Sequence, residues 1–206
     1  MLDIPLHYKF SEAGKSGSNF DMRTILDRTL VKEQPALAVT FVENHDTQPL
    51  QSLESVVEAW FKPLAYAMIL LRLDGYPCIF YADYYGAYYK DKGRDNNDHE
   101  IWLTDHSFLI NKFLWARKAY GFGERHDYFD HPNTIAWIQL GDRNHPGAMA
   151  VVLSNGAAGN KWMNTFRPNV TFADSTGHIT DLVETNHDGW GNFRGNGGSV
   201  SVWLQK

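Results

Sequence analysis

The run at residues 36–42, ALAVTFV, is apolar at six of its seven positions and ends abruptly in four polar residues, Glu43, Asn44, His45 and Asp46. A continuous apolar run of this length predicts a β-strand buried on both faces, as in a parallel sheet. In parallel-sheet enzymes, and above all in β/α barrels, catalytic side chains lie at the C-terminal ends of the strands. This feature therefore predicts a parallel α/β fold with a candidate site at residues 43–46.

The first 120 residues alternate short apolar runs with helical patterns, which is typical of strand–helix units. Three parallel strands are predicted, at residues 2–6, 36–42 and 77–82. Apolar spacing, capping residues and proline positions predict helices that start near residue 21 and cover 55–60, 63–72 and 107–120. Residues 84–105 are rich in Tyr, Lys, Asp and Asn and are predicted to form one long polar loop.

After about residue 121 the pattern changes to short runs with alternation or β-branched residues, separated by clusters of Gly, Asn and Asp. Strands are predicted at residues 134–140, 148–153, 162–166, 178–182 and 200–204. Such a series predicts an antiparallel β domain of the sandwich or Greek-key kind at residues 121–206. No low-complexity linker precedes it, so we expect it to pack directly against residues 1–120.

Composition narrows the classes of function. A formal net charge of −5 argues against a nucleic-acid partner, which would need a basic face. No run of about 18 apolar residues exists and residues 1–7 lack the pattern of a signal peptide, so we expect neither a membrane partner nor an export signal in this chain. The single cysteine, Cys78, lies in an apolar run and is expected to be an inert core residue.

Each predicted parallel strand ends in an ionisable candidate: His7, the pair His45 and Asp46, or Asp83. A lone polar residue at a strand end usually serves in a turn or a cap, and this is the structural alternative for His7 and Asp83. Two adjacent ionisable groups that close a buried strand indicate function, so His45 and Asp46 are preferred. Asn44 is expected to shape the loop rather than contact a ligand.

Several motifs in collinear order resemble the α-amylase family of glycoside hydrolases, in particular its bacterial liquefying members. They are DIPLHY at 3–8, FVENHD at 41–46, WFKPLAYA at 60–67, HDYFDH at 126–131 and GGSVS at 197–201. The resemblance covers essentially the whole chain. It implies that residues 1–120 are the last three strand–helix units, strands six to eight, of a (β/α)8 TIM barrel. Residues 121–206 would then be the antiparallel Greek-key β-sandwich domain.

The resemblance also implies an activity, the retaining hydrolysis of internal α-1,4-glucosidic bonds in starch or maltooligosaccharides. By this resemblance Asp46 is the carboxylate that stabilises the transition state, and His45 binds the same sugar ring. The nucleophile and the general acid of the family lie on the fourth and fifth strands, outside this chain. We therefore expect an incomplete catalytic fragment that is inactive alone and whose partners are an α-glucan and a complementing N-terminal half.

Two alternatives are a non-catalytic α-glucan-binding or interaction module, in which the C-terminal domain and surface aromatics bind the ligand, and a truncated remnant. Family resemblance implies an extracellular location.

Calcium is the cofactor implied by the resemblance, which places one ion between the barrel and the C-terminal domain with acidic ligands from the latter. Asn133 and Asn155 stand at the aligned positions. Calcium accepts amide oxygens, but the loss of two charges should weaken such a site considerably. We therefore assign no metal ligand in this chain.

Overall fold

Three backbone segments of the N-terminal part run parallel to one another in the computed structural model, which describes all 206 residues. Strand β1 (Val39–Phe41) pairs with β2 (Tyr76–Cys78), and Leu2 forms a single parallel bridge to Val39 on the other side of β1. The predicted parallel arrangement is therefore present, although its strands are shorter than predicted.

Five α-helices accompany these segments, and three single-turn 3-10 helices cover Gly17–Asn19, Met22–Thr24 and Pro35–Leu37. The α-helices are α1 (Ile4–Ser16), α2 (Leu30–Glu33), α3 (Lys62–Leu71), α4 (Tyr81–Tyr85) and α5 (Ser107–Tyr120). The predictions for residues 63–72 and 107–120 are confirmed by α3 and α5. Pro63 occupies the first turn of α3, where its missing N–H costs nothing, and nine of the ten residues of α3 are buried. All of the helices are too short or too polar to cross a bilayer.

The strand predicted at residues 2–6 is wrong, because α1 begins at Ile4. The side chain of Asp3 accepts the N–H of Leu6 at 3.2 Å and thereby caps α1. The same carboxylate accepts the N–H groups of Leu30 at 3.1 Å and Val31 at 2.7 Å, at the start of α2. One buried aspartate thus satisfies free backbone donors of two helices, which favours helix over strand here.

The helix predicted for residues 55–60 does not form. The Ser55 hydroxyl, expected to cap it, contacts the carbonyl oxygen of Leu53 at 2.9 Å and the His7 ring at 2.7 Å. The Trp60 indole donates a hydrogen bond to the carbonyl of Gly14 in α1. Tertiary contacts therefore replace the capping box. The long helix predicted from residue 21 is likewise reduced to a 3-10 turn, Met22–Thr24, and the short α2.

The loop predicted at residues 84–105 contains a β-hairpin. Strands β3 (Ala87–Lys92) and β4 (Asp98–Leu103) pair antiparallel, with Tyr88 directly opposite Trp102. The two rings lie 4.2 Å apart. Cross-strand aromatic pairs of this kind stabilise a hairpin, here one that is charged or polar toward its turn. The hairpin was not predicted because its sequence is rich in charged residues.

The C-terminal part is an antiparallel β structure of eight strands. They are β5 (Arg125–Tyr128), β6 (Thr134–Gln139), β7 (Met149–Ser154), β8 (Gly159–Asn164), β9 (Thr171–Asp174), β10 (Val183–Glu184), β11 (Trp190–Gly195) and β12 (Ser199–Gln205). Six of them form one sheet in the order β10-β9-β12-β7-β6-β5, and β8 pairs with β11 in a separate ribbon. The predicted antiparallel β domain is confirmed.

The strand predicted at residues 178–182 is wrong, and β5, β9, β10 and β11 were not predicted. His178 and Ile179 bond to side-chain and carbonyl oxygens instead of a neighbouring strand: the His178 ring contacts the carbonyl of Val200 at 2.8 Å, and the Ile179 N–H donates to Asp174 at 3.1 Å. The segment follows an Asp174–Thr176 turn. Local turn chemistry therefore prevails over its β-branched composition.

The larger apolar cluster joins helices of the N-terminal part to one face of the six-stranded sheet, through Trp137, Val151 and Val202 among others. A second cluster lies between the other face of that sheet and the β8–β11 ribbon, and includes Ala136 and Phe193. Every residue of β6 and β7 is consequently buried. The two parts pack directly together as expected, and the boundary at residue 120 stays a prediction.

The prediction that Cys78 is a buried core residue is wrong. Its side chain is exposed, and so is that of Tyr76 on the same strand. Strand β2 lies at the edge of the parallel segments, and no further strand pairs with its outer side.

Candidate active site after the first strand

His45 and Asp46 lie in a tight turn that follows β1. Their side chains are 81% and 50% exposed, and His45 Nε2 lies 3.5 Å from Asp46 Oδ1. The residues just before them, Val42 and Glu43, are buried. The turn thus exposes two adjacent ionisable groups to solvent, while buried neighbouring residues hold its backbone. A binding site for a polar ligand needs such support.

Asn44 shapes this turn. Its Oδ1 accepts the N–H groups of Asp46 at 2.9 Å and of Thr47 at 3.0 Å, while its own N–H donates to the hydroxyl of Thr47. Such side-chain hydrogen bonds to the following backbone are typical of Asx turns. Asn44 therefore has the structural role that the sequence predicts.

Glu43 stabilises this turn from its buried side. Its Oε1 accepts the hydroxyl hydrogen of Thr47 at 2.7 Å, and its Oε2 accepts the N–H of Val57 at 3.2 Å. Lys62 Nζ lies 3.4 Å from the same Oε2. Burial raises the pKa of Glu43 above its ordinary value, against the attraction of Lys62. Because this carboxylate holds Thr47, the last residue of the turn, the positions of His45 and Asp46 depend on it.

Lys62 joins Glu43 to Asp83. Its ammonium forms an ion pair with the Asp83 carboxylate, whose other oxygen accepts the Tyr66 hydroxyl at 2.7 Å. All four side chains are buried, and burial together with the Asp83 charge raises the pKa of Tyr66. Two carboxylates thus share one cation at a depth where an unpaired charge is costly. Asp83 lies within α4 rather than at a strand end, and its contacts are structural.

His7 also has a structural role. Its ring is buried and stacks on Phe41 at 5.2 Å, with 8° between the planes. Nδ1 donates to the carbonyl oxygen of Val42 at 2.7 Å, and Nε2 lies 2.7 Å from the Ser55 hydroxyl. Burial lowers the pKa of His7, which favours the neutral ring with its proton on Nδ1. The structure therefore does not bring His7 together with the exposed pair.

Sequence reasoning missed the buried cluster of Glu43, Lys62 and Tyr66. A signal was available, because Lys62 is the one charged residue in an otherwise apolar stretch at residues 59–71. A lysine in such a stretch needs a buried carboxylate as partner.

Four further carboxylates lie together on an exposed surface. Asp91, Asp95, Asp98 and Glu100 are all exposed on the β3–β4 hairpin or its turn. Asp95 pairs with His99 at 2.9 Å, and the hydrogen bonds to this carboxylate lower its pKa to about 2. None of these residues therefore has the buried setting that would raise the pKa of a general acid.

Known proteins match this chain along its whole length. Residues 149–204 match the family model described as "Alpha-amylase C-terminal". All of the chain aligns with an α-amylase of Geobacillus stearothermophilus at 47% identity over 209 residues. The chain is homologous to the C-terminal part of bacterial α-amylases. It covers 36% of that relative, and 41% of the cytoplasmic α-amylase of Escherichia coli K12, with which it shares 45% identity over 99% of its own length.

Solved α-amylase structures have the same fold. The Eisenia fetida α-amylase I variant in complex with maltohexaose superposes with a TM-score of 0.70 at 14% identity, over 98% of this chain and 48% of that one. The Geobacillus thermoleovorans α-amylase in complex with acarbose gives 0.66 at 15% identity, over 100% and 47%. The mixed α/β part and the antiparallel sheet of this chain therefore match the C-terminal region of α-amylase folds.

The calcium implied by the α-amylase resemblance does not fit the two aligned asparagines. Asn133 Nδ2 lies 3.0 Å from Asn155 Oδ1, and both amides direct N–H groups at backbone carbonyl oxygens. An N–H donor cannot coordinate a cation, and Asn155 Oδ1 and the three backbone carbonyl oxygens already accept these hydrogen bonds. No group of three or more His, Cys, Asp and Glu side chains is arranged to hold a metal ion.

Proposed function

We propose that this chain supplies the His45–Asp46 turn of an α-amylase-type active site, which hydrolyses internal α-1,4-glucosidic bonds of starch or maltooligosaccharides with retention. The observation that carries the proposal is this exposed pair on a buried, hydrogen-bonded base, in a chain 47% identical to an α-amylase. Asp46 stabilises the positive charge of the oxocarbenium-like transition state, and His45 hydrogen-bonds the same sugar.

Retaining hydrolysis needs a nucleophile and a general acid besides Asp46. In this proposal an N-terminal half supplies both, and residues 1–120 complete its (β/α)8 barrel as strands six to eight beside a Greek-key C-terminal sandwich. The exposed edge of the parallel segments supports a missing neighbour, because Leu2 and Tyr76 are 46% and 64% exposed. A barrel requires both edges to be paired.

Complementation tests the proposal. The purified chain is assayed on a chromogenic maltooligosaccharide alone and after mixing with the G. stearothermophilus α-amylase segment that precedes the aligned region. We expect no hydrolysis by either piece and hydrolysis by the mixture. Hydrolysis by this chain alone would contradict the proposed division of the site, and a stable complex without hydrolysis would contradict the role given to the His45–Asp46 turn.

A second candidate function is α-glucan binding without catalysis, and one observation favours it. Trp162 on β8 is exposed, and its ring lies 6.4 Å from that of Trp190 on β11, with 10° between the planes. The two are diagonal neighbours on one face of the ribbon. Two nearly parallel, accessible rings are suited to stacking on successive sugar rings of a glucan.

Replacing both tryptophans by alanine should lower the affinity for maltoheptaose roughly 10-fold or more, because each lost ring contact costs at least about 1 kcal/mol. Calorimetric titration measures this loss, with Asp46→Ala as the matched variant at the other site. If binding survives Asp46→Ala and is lost with the tryptophans, the binding function is supported. Equal affinity of the double variant and the unaltered chain would exclude it.

An extracellular location belongs to the same proposal and follows from family resemblance alone. The E. coli relative is described as cytoplasmic, so an internal location is the alternative. Fractionation of the source cells distinguishes the two, and recovery of the protein only inside the cell would reject the extracellular location.

A further inference from the structure

The segment that follows α1 turns three backbone carbonyls toward the C-terminal sheet. They belong to Gly17, Ser18 and Phe20, and they face Asn133, just before β6, and Asn155, just after β7. Gly17 has φ +54°, a conformation that glycine adopts without strain. The contact joins sequence positions more than 110 residues apart.

The two asparagine amides satisfy these carbonyls completely. Asn155 Nδ2 donates to the Gly17 oxygen at 2.8 Å and to the Phe20 oxygen at 2.9 Å. Asn133 Nδ2 donates to the Ser18 oxygen at 2.7 Å and to Asn155 Oδ1 at 3.0 Å. All four amide hydrogens are therefore used. Because a carbonyl oxygen can only accept, these contacts also decide which atom of each amide is nitrogen.

Backbone bonds and close packing hold the asparagines in register. The N–H of Asn155 donates to the carbonyl of Asn133 at 3.1 Å, and the N–H of Met22 donates to that of Pro132 at 2.7 Å. A Cβ atom at Gly156 would lie 3.2 Å from Asn133 Cβ, so this position has no room for a larger residue without displacement. Asn155 itself is 4% exposed.

A backbone carbonyl oxygen shielded from water, such as that of Phe20, needs a cation or an N–H donor, because leaving it unpaired costs free energy. Here the donors come from two neutral amides. We infer that Asn133 and Asn155 form an amide clasp, which takes the place of a bridging cation and makes the contact between the two parts of the chain independent of metal. The inference concerns stability and does not depend on the proposed activity.

The test compares the unaltered chain with an Asn133→Asp/Asn155→Asp variant by thermal unfolding in chelator and in millimolar calcium. We expect the Tm of the unaltered chain to be the same in both. In chelator the double variant should lose roughly 5–10 °C, because carboxylates lack the N–H groups that the carbonyls require. Calcium should restore much of this loss saturably, since carboxylate and carbonyl oxygens are its ligands.

Two further variants keep the test decisive. Asn144→Asp/Asn192→Asp adds the same charge at exposed positions and should gain nothing from calcium. Asn155→Ala should lower the Tm equally in chelator and in calcium. A saturable rise of the Tm of the unaltered chain with calcium, abolished in Asn155→Ala, would overturn the inference. An Asn155→Ala variant as stable as the unaltered chain would also overturn it.

Discussion

Replacing Asp46 by asparagine should lower the hydrolysis rate of the complemented chain at least about 10²–10³-fold, the usual loss when a group that stabilises transition-state charge is removed. The substitution keeps the size and removes only the charge. Stability should not change, because Asp46 is half exposed and its one ion-pair contact is His45 at 3.5 Å. Initial rates with a chromogenic maltooligosaccharide and the Tm of each variant measure the two effects separately.

His187 and Asp188 provide the matched control. They form a second exposed His–Asp pair, with 3.1 Å between Nε2 and Oδ2, in the turn before β11. Asp188→Asn removes the same charge from the same kind of neighbour and should leave the rate unchanged. An Asp46→Asn chain that retains full rate in the complemented enzyme would reject the catalytic role of Asp46. Equal losses in both variants would mean that net charge, and not position, matters.

The parts of the fold that could be predicted are those where periodicity agrees with burial. Strand β1, helix α3 and the strands β6, β7 and β12 are largely apolar because they lie inside the molecule, whereas α5 buries one apolar face with Ile110, Phe113 and Ala116. The β3–β4 hairpin could not be read in the same way. It is polar at half of its strand positions and depends on pairing across strands rather than on a buried face.

Helix α1 and the candidate site show a second limit of prediction from sequence: contacts between distant residues. Asp3 lies inside a predicted strand, but its carboxylate caps α1 and also accepts the N–H of Leu30, 27 residues away, at the start of α2. The exposed His45–Asp46 pair was predictable because adjacent ionisable groups end an apolar run. The supporting contact of Glu43 with Lys62 was not, because it joins two elements through space, and no local pattern encodes such a contact.

Lys62→Met should destabilise the chain by about 3–5 kcal/mol, because it leaves Glu43 and Asp83 buried without their shared cation. For a chain of this size the loss corresponds to a fall in Tm of roughly 10 °C or more. Methionine fills a similar volume, so packing is largely retained. Lys90→Met is the matched control: Lys90 pairs with Glu100 at 2.5 Å, but both side chains are more than half exposed. Its Tm should change little.

The pH dependence identifies the cause of this loss. Burial holds the pKa of Glu43 above its ordinary 4.5, so its stabilising contribution is complete below that pH and is lost as pH rises through the folded-state pKa. Without Lys62 the attraction that lowers the pKa of Glu43 is gone, and the folded state binds the proton more tightly. The Tm difference between Lys62→Met and the unaltered chain should therefore be smaller at about pH 5 than at about pH 8. A difference that is constant with pH would mean that lost packing, and not an unpaired carboxylate, destabilises the variant.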